Sequence, residues 1–140
     1  ICPTTDAEMA ALRLERRQPI AAEALQALFR AAWGAPKPGY EAVFEHSFSW
    51  VAAYDADRLV GFVNVAWDGD VHFFLLDTTV HPAHQGRGLG QRLVAEAVDA
   101  CRGHGEWLHV DADEPLMTEF YERRCGFTRT PAGLLDLTKG

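Results

Sequence analysis

Three glycines at alternate positions mark one segment of this chain as a candidate binding loop. They lie in Gln85-Gly86-Arg87-Gly88-Leu89-Gly90, between an apolar, β-branched run that predicts a strand (71–80) and an amphipathic run that predicts a helix (89–102). Glycines let a ligand approach the backbone closely, and the first turn of a helix presents unpaired N–H groups. A strand, a glycine loop and a helix N-terminus together predict a site for a phosphate or pyrophosphate. A turn that binds no ligand is the alternative.

The spacing of the glycines separates this loop from two other phosphate-binding loops. A dinucleotide-binding turn needs Gly-x-Gly-x-x-Gly, but here the third glycine comes one residue early. A P-loop ends in Gly-Lys-Ser/Thr, and the residue after Gly90 is Gln91. The order Gln-x-x-Gly-x-Gly, preceded by Val80-His81-Pro82, instead resembles the acyl-CoA signature of the GNAT superfamily of N-acetyltransferases.

The resemblance implies that this part of the chain binds acetyl-CoA as a co-substrate. It implies that the backbone N–H of Thr78 meets the thioester oxygen, while Val80 pairs with the pantetheine amides like an added strand. It also places the pyrophosphate on the N–H groups of residues 86–90, with Arg87 and Arg92 adding positive charge. For Arg92 the alternative is a solvated surface residue. The residues predicted to bind acetyl-CoA are Thr78, Thr79, Val80, Gln85, Gly86, Arg87, Gly88, Leu89, Gly90 and Gln91.

A second element of the family is similar to the segment Phe120-Tyr121-Glu122-Arg123-Arg124-Cys125-Gly126-Phe127. The resemblance implies that Tyr121 is the catalytic residue, whose hydroxyl faces the CoA sulfur and protonates the departing thiolate. The family has three residues between this tyrosine and the glycine, whereas four stand here. Either a bulged helical turn absorbs the extra residue, or the helix rotates and Glu122 takes the facing position. A tyrosine that only packs at the core edge is the remaining alternative.

The sequence does not single out a general base. In several members of the family a glutamate on the strand before the glycine loop takes the amine proton, and the matching residue here is Phe74. The candidates are therefore Asp77, His72, Glu119, Asp111 or a water relay. Asp77 lies within an apolar run, where a carboxylate needs a partner, so a hydrogen bond to a neighbouring group is the alternative to a catalytic role.

Histidines and carboxylates are scattered along the chain without the spacing of a metal site. His109, Asp111 and Asp113 alternate at a predicted strand end, which would place them on one face. His81 and His84 lie three residues apart in a loop. Because no Cys/His set has zinc spacing, we predict that no metal ion is bound.

Composition and cysteine usage limit the class of protein. A length of 140 residues fits a single domain over 1–140, and 48% hydrophobic with 24% charged residues is ordinary for a globular protein. The net charge of −7 argues against a nucleic-acid partner and mildly favours a cationic substrate. No apolar run approaches the roughly 20 residues of a membrane span, and no signal-peptide pattern stands at the start. An odd number of widely spaced cysteines (Cys2, Cys101, Cys125) predicts free thiols and a cytoplasmic location.

The periodicity of the apolar residues predicts alternating helices and strands. Helices are expected over 20–33, 40–46, 89–102 and 115–125, and strands over 50–54, 59–67, 71–80, 107–110, 127–130 and 134–137. This order predicts an α/β fold, with a mixed sheet and helices on both faces. The family resemblance spans nearly the whole chain. It implies a GNAT-like, mostly antiparallel sheet of about six to seven strands, whose central strands, ending at Val80 and beginning near Trp107, splay apart.

The function predicted from these features is acetyl-CoA-dependent N-acetyl transfer to a primary amine of a small molecule or peptide. No cysteine stands beside a histidine in the motif regions, so we expect direct attack in a ternary complex rather than an acyl-enzyme. The alternative is a non-catalytic acyl-CoA-binding or regulatory domain on the same fold, because a fold does not fix an activity. A nucleotide-binding module is disfavoured by the missing Lys-Ser/Thr pair. The sequence leaves the identity of the acceptor and the formation of a homodimer open.

Overall fold

The computed structural model describes residues 11–139, whose strands form one sheet. The strands are β1 (Arg13–Arg16), β2 (Ser47–Asp55), β3 (Arg58–Trp67), β4 (His72–Val80) and β5 (Trp107–Val110), and they lie side by side in that order. The first four pair antiparallel, whereas β4 and β5 run parallel. The mixed, mostly antiparallel character is confirmed. The predicted number of six to seven strands is wrong, since the described residues form five.

Three α-helices, one 3₁₀ turn and one π-helix accompany this sheet. They are α1 (Ala22–Trp33), α2 (Tyr40–Glu45), a 3₁₀ turn (Pro82–His84), α3 (Leu89–Cys101) and a π-helix (Met117–Glu122). Helix α1 ends at Gly34, which adopts the left-handed conformation that closes many helices. The short loop from there to Gly39, the N-cap of α2, carries Lys37 close to the sheet.

Helices cover both faces of the sheet, because successive residues of a strand point to opposite sides. Leu25, Leu28 and Phe29 of α1 pack with Phe62 of β3 on one side, in a cluster that includes Tyr40 of α2. On the other side α3 packs on the sheet through a second cluster. Burial of each such side chain contributes about 1.5–3 kcal/mol of stability. We call these two sides the α1 face and the α3 face. The second cluster includes Val51, Val63, Val65, Phe73, Leu75, Leu89, Leu93, Val94 and Tyr121.

Both ends of the described chain differ from the predicted elements. Strand β1 was not predicted, although the alternation of Leu12 and Leu14 with charged residues is a strand pattern. The last two predicted strands, over 127–130 and 134–137, are absent from the described structure. Pro131 and Gly133 both weaken a hairpin at this point. Instead, Arg129 forms ion pairs with Glu114 and Glu122 beside the π-helix.

The parallel strands β4 and β5 pair only over part of their length. Their pairing runs from His72 opposite Trp107 to Leu75 opposite Val110, and β4 then continues to Val80 with β3 on one edge and without β5 on the other. Over its second half, the edge of β4 that faces β5 therefore has no strand partner among the described residues, and we call this edge the gap. No helix within residues 11–139 is long and apolar enough to cross a membrane.

Candidate active site

A β-bulge interrupts β4 where the strands separate. Between two paired positions β3 advances by two residues, from Phe62 to Asn64, while β4 advances by three, from Leu76 to Thr79. The extra residue lies at Asp77 and Thr78, and Asp77 has a left-handed φ of 56°. A bulge leaves a residue out of the ladder, so backbone groups at this point are available to a ligand. Aspartate tolerates the left-handed region better than most residues, which explains its presence within an apolar strand.

The glycine loop follows β4 and has the backbone shape of a phosphate cradle. Gly86 and Gly88 have φ values of 75° and 88°, and a Cβ built at either position would meet open space. Gly88 is the N-cap of α3, and the first hydrogen bond of the helix joins the N–H of Arg92 to the C=O of Gly88. The N–H groups of residues 89–91 therefore stand outside the intrahelical ladder. This arrangement fits a pyrophosphate.

Several residues predicted to bind acetyl-CoA have side chains that contact the protein itself rather than open space. The Gln85 amide donates to the C=O of Val80, and the Gln91 amide donates to the C=O of Arg124, each over 3.0 Å. The side chains of Thr79 and Leu89 are buried, so these residues can offer only backbone atoms to a ligand. Arg87 is exposed, and a Cβ at Gly90 would lie 3.3 Å from the Phe120 ring.

A π-helix absorbs the extra residue between Tyr121 and Gly126. The hydrogen bonds from the N–H of Arg123 to the C=O of Thr118, and from Cys125 to Phe120, span five residues instead of four. A continuous α-helix over 115–125 was predicted, and the wider turn is the correction. It places the Tyr121 hydroxyl 3.3 Å from Thr78 Oγ1, on the α3 face of the bulge.

The surroundings of Tyr121 keep its hydroxyl protonated. The side chain is buried, and its ring packs edge-on against Phe120 and Phe127. Burial raises the pKa of Tyr121 more than the hydrogen bond with Thr78 lowers it. A phenol held in this state at neutral pH can donate a proton. Glu122 points elsewhere and forms an ion pair with Arg129 over 2.8 Å.

On the α1 face, the Asp77 carboxylate forms the other side of the bulge. Its Oδ2 accepts a hydrogen bond from the Tyr40 hydroxyl over 2.8 Å and lies 3.4 Å from Lys37 Nζ. The Asp77 side chain keeps 21% of its surface exposed, so it is still within reach of a ligand. Burial and the negative charge of Asp77 raise the pKa of Tyr40, which therefore stays protonated as the donor. Neither Tyr40 nor Lys37 was predicted to belong to the site.

The other candidates for a general base lie at the far end of β4, form an ion pair of their own, or follow β5. His72 is at the opposite end of β4, where its Nδ1 lies 2.8 Å from His109 Nε2. Glu119 forms an exposed ion pair with Arg123. Asp111 follows β5 and is exposed. Phe74, at the position where several family members have glutamate, is 40% exposed and stacks on His109.

A cleft of about 260 Å³ lies at the opposite end of the sheet and is distinct from the bulge. It is bounded by the last turn of α3, the turn at Gly103 and the first residues of β5. Because β5 begins opposite His72, this cleft is at the start of β4, whereas Asp77 and Thr78 are near its end. It does not contribute to the candidate active site.

The described cysteines are free thiols that carry little thiolate. Cys101 is buried at the end of α3 and Cys125 is half-buried after the π-helix, while Cys2 lies outside the described residues. Burial raises the pKa of each described thiol to about 11. Because the thiolate is the nucleophile, neither thiol is suited to form an acyl-enzyme at neutral pH.

The histidines and carboxylates do not assemble into a metal site in the described part of the chain. Strand β5 ends at Val110, so the predicted alternation of His109, Asp111 and Asp113 along one strand face is wrong. Within residues 11–139, no three His, Cys, Asp or Glu side chains are grouped closely enough to hold an ion.

Removal of divalent ions is therefore expected to leave the protein unchanged. After dialysis against a chelator, the thermal unfolding midpoint and any acetyl-transfer activity should equal those of the untreated protein, because bound metal would need a set of correctly spaced ligands. Loss of activity that one added divalent ion restores would contradict this prediction.

Comparison with known proteins gives a consistent result. The Acetyltransferase (GNAT) family profile matches residues 10–127. N-alpha-acetyltransferase RimI of Mycobacterium tuberculosis is 33% identical over 87 residues, covering 57% of this chain and 52% of that protein. Serotonin N-acetyltransferase 2 of rice is 35% identical over 80 residues, covering 57% and 40%. This chain thus spans about half or less of the length of these curated relatives.

Solved structures share the fold over most of the chain. A GNAT family acetyltransferase of Streptococcus pneumoniae superposes with a TM-score of 0.75 at 22% identity, covering 90% of this chain and 98% of that one. A GNAT family acetyltransferase of Brucella melitensis, solved in complex with acetyl-CoA, has a TM-score of 0.67 at 21% identity, covering 84% and 83%. The fold, the glycine loop after β4 and the family profile agree, and the chain belongs to the GNAT acetyltransferase family.

Proposed function

We propose that this protein transfers the acetyl group of acetyl-CoA to a primary amine of a small molecule or peptide, by direct attack in a ternary complex. The observation that carries the proposal is the bulge in β4, which has a proton donor on one face and a carboxylate on the other. Tyr121 lies on the α3 face and Asp77 on the α1 face. An acyl transfer needs both groups, since the amine must lose a proton and the thiolate must gain one.

In this proposal the glycine loop binds the pyrophosphate of acetyl-CoA. The N–H groups of the first turn of α3 donate to it, and the exposed Arg87 adds positive charge. The edge of β4 that β5 leaves without a partner hydrogen-bonds the pantetheine arm, which brings the thioester to the bulge. There the backbone N–H of Thr78 polarises the carbonyl oxygen. The acetyl-CoA complex of the Brucella protein, which shares this fold, supports acetyl-CoA as the ligand.

Replacement of Gly88 by valine is expected to weaken acetyl-CoA binding at least about tenfold, or about 1.4 kcal/mol. Valine disfavours the left-handed φ of 88° at this N-cap, and its side chain would fill the space that the pyrophosphate needs. Isothermal titration of the folded variant measures the effect. Gly103→Val is the matched control, since Gly103 has a φ of 84° and open space but lies at the other end of α3. If the two variants bind acetyl-CoA with equal affinity, the assignment of the pyrophosphate to this loop is wrong.

On the acceptor side, Asp77 binds the incoming ammonium and accepts its proton, which then passes to water. The Tyr40 hydroxyl fixes the orientation of the carboxylate. The two relatives named above are an N-alpha-acetyltransferase and a serotonin N-acetyltransferase, which supports an amine as the acceptor. The free thiols of Cys101 and Cys125 are consistent with the cytoplasmic location that we propose.

The proposal is tested by measuring release of CoA from acetyl-CoA in the presence of a panel of amines. The panel contains a peptide with a free N-terminus, an arylalkylamine, a polyamine and an amino acid. Saturable turnover with at least one amine supports the proposed acetyl-transfer activity. The alternative is a non-catalytic acyl-CoA-binding domain, which is favoured by Phe74 at the position of the family's glutamate. That alternative predicts tight binding of acetyl-CoA with no turnover of any amine.

A further inference from the structure

The side chain of Lys37 occupies the α1 face of the bulge. Its Nζ lies 3.4 Å from Asp77 Oδ2 and 5.5 Å from the centre of the Tyr40 ring. A carboxylate and an aromatic face are the groups that proteins use to bind an ammonium. Lys37 thus presents a primary ammonium to the same carboxylate to which we assign the acceptor amine.

The backbone of Lys37 is held in place, while its side chain extends from it as a long arm. The side-chain amide of Gln26 in α1 accepts from the Lys37 N–H over 2.6 Å and donates to the Lys37 C=O over 2.8 Å. This pair of hydrogen bonds fixes the loop between α1 and α2 against the first helix. The Lys37 side chain itself is 48% exposed. It is anchored at its base and has a flexible four-carbon stem with which to reach the neighbouring thioester.

From this geometry we propose that the protein acetylates its own Lys37. The inference rests on the proposed function, because it uses the same bound acetyl-CoA and the same Tyr121. The chain supplies an amine at the acceptor position without any need for binding from solution. Holding a nucleophile next to its target raises its effective concentration by orders of magnitude.

The reaction is the ordinary acyl transfer with an internal acceptor. The Lys37 ammonium first gives up a proton to Asp77, from which the proton passes to water. The nitrogen lone pair then attacks the thioester carbonyl carbon, a C–N bond forms and the C–S bond breaks. The second N–H proton is released to solvent or base, and the leaving thiolate takes a proton from Tyr121, which is reprotonated from water. The products are an acetylated Lys37, CoA in its thiol form and one net proton.

The chain offers an unusually clean test, because it contains two lysines, Lys37 and Lys139. Lys139 is 83% exposed, so spontaneous acetylation by acetyl-CoA would favour it over Lys37. The folded protein is incubated with acetyl-CoA, and acetylation is followed by intact mass and assigned by peptide mapping. We expect Lys37 to be modified at least about tenfold faster than Lys139, at a rate independent of protein concentration. Lys37→Arg should lose this modification and Lys139→Arg should keep it.

Two further measurements separate a failure of this inference from a failure of the proposed function. Binding of acetyl-CoA and turnover of the amine panel are recorded on the same preparation. If an added amine is acetylated while Lys37 is modified no faster than Lys139, self-acetylation is refuted and the proposed function stands. If acetyl-CoA binds but neither an added amine nor Lys37 is acetylated, both fail. A ratio of Lys37 to Lys139 modification that is the same in folded and in urea-unfolded protein would also refute the inference.

Discussion

Replacement of Tyr121 by phenylalanine is expected to lower kcat by about 10² to 10⁴, the usual contribution of a general acid. The variant removes one hydroxyl from a buried ring and leaves the contacts with Phe120 and Phe127 in place. The lost hydrogen bond to Thr78 should cost about 0.5–1.5 kcal/mol of stability, so the fold survives. The affinity for acetyl-CoA should not change, because in the proposed mechanism the phenol acts only when the thiolate leaves. Steady-state kinetics and titration with acetyl-CoA measure the two quantities separately.

Glu122→Gln is the matched control for this variant. The π-helix directs Tyr121 to Thr78 and Glu122 to Arg129, so loss of the Glu122 charge should leave kcat within about threefold of the original value. An inactive Glu122→Gln variant beside a fully active Tyr121→Phe variant would assign the acid role to Glu122 instead. That outcome would mean that the helix turns by about 100°, one residue, relative to the arrangement described above.

The main elements of this fold are predictable because their apolar residues recur with clear periods. The hairpin of β2 and β3 and the strand β5 were found at nearly the observed positions, and α3 ends within one residue of its predicted end. The three strands belong to one sheet and α3 packs on that sheet, so local pattern and tertiary packing agree. The prediction of two C-terminal strands is wrong because local pattern and tertiary packing disagree there. Leu134, Leu135 and Leu137 suggest a strand by composition, yet all three are exposed and pair with no neighbour among the described residues.

The candidate site was predictable in part, and the missing part depends on contacts between distant segments. The glycine loop and Tyr121 are recognisable because each lies within a continuous pattern of residues. The ion pair of Asp77 with Lys37 joins residues 40 positions apart, and no local pattern encodes it. The π-helix was foreseen only as one of two ways to absorb an extra residue. Packing of Phe120 near Gly90 and the contact of Tyr121 with Thr78 favour it over a rotated helix.

Asp77→Asn is expected to lower kcat/KM for an amine acceptor by about 10² to 10³, since it removes the group that we propose binds the ammonium and accepts its proton. Asparagine is the informative replacement. It tolerates the left-handed φ of 56° as well as aspartate does, and its carbonyl oxygen can still accept the Tyr40 hydroxyl. The bulge should therefore keep its shape, and titration should show an unchanged affinity for acetyl-CoA.

The dependence of the rate on pH distinguishes a lost base from a distorted site. Without the Asp77 carboxylate, the reaction needs an amine that is already neutral, and that fraction rises about tenfold per pH unit below the amine pKa. Between about pH 7 and about pH 9, the rate of the Asp77→Asn variant should thus rise more steeply with pH than the rate of the original protein. Asp111→Asn is the matched control, because Asp111 is an exposed carboxylate that follows β5 at the same gap. If Asp111→Asn is inactive and Asp77→Asn is not, the base lies on the β5 side of the gap and Asp77 serves only to hold Lys37 and Tyr40.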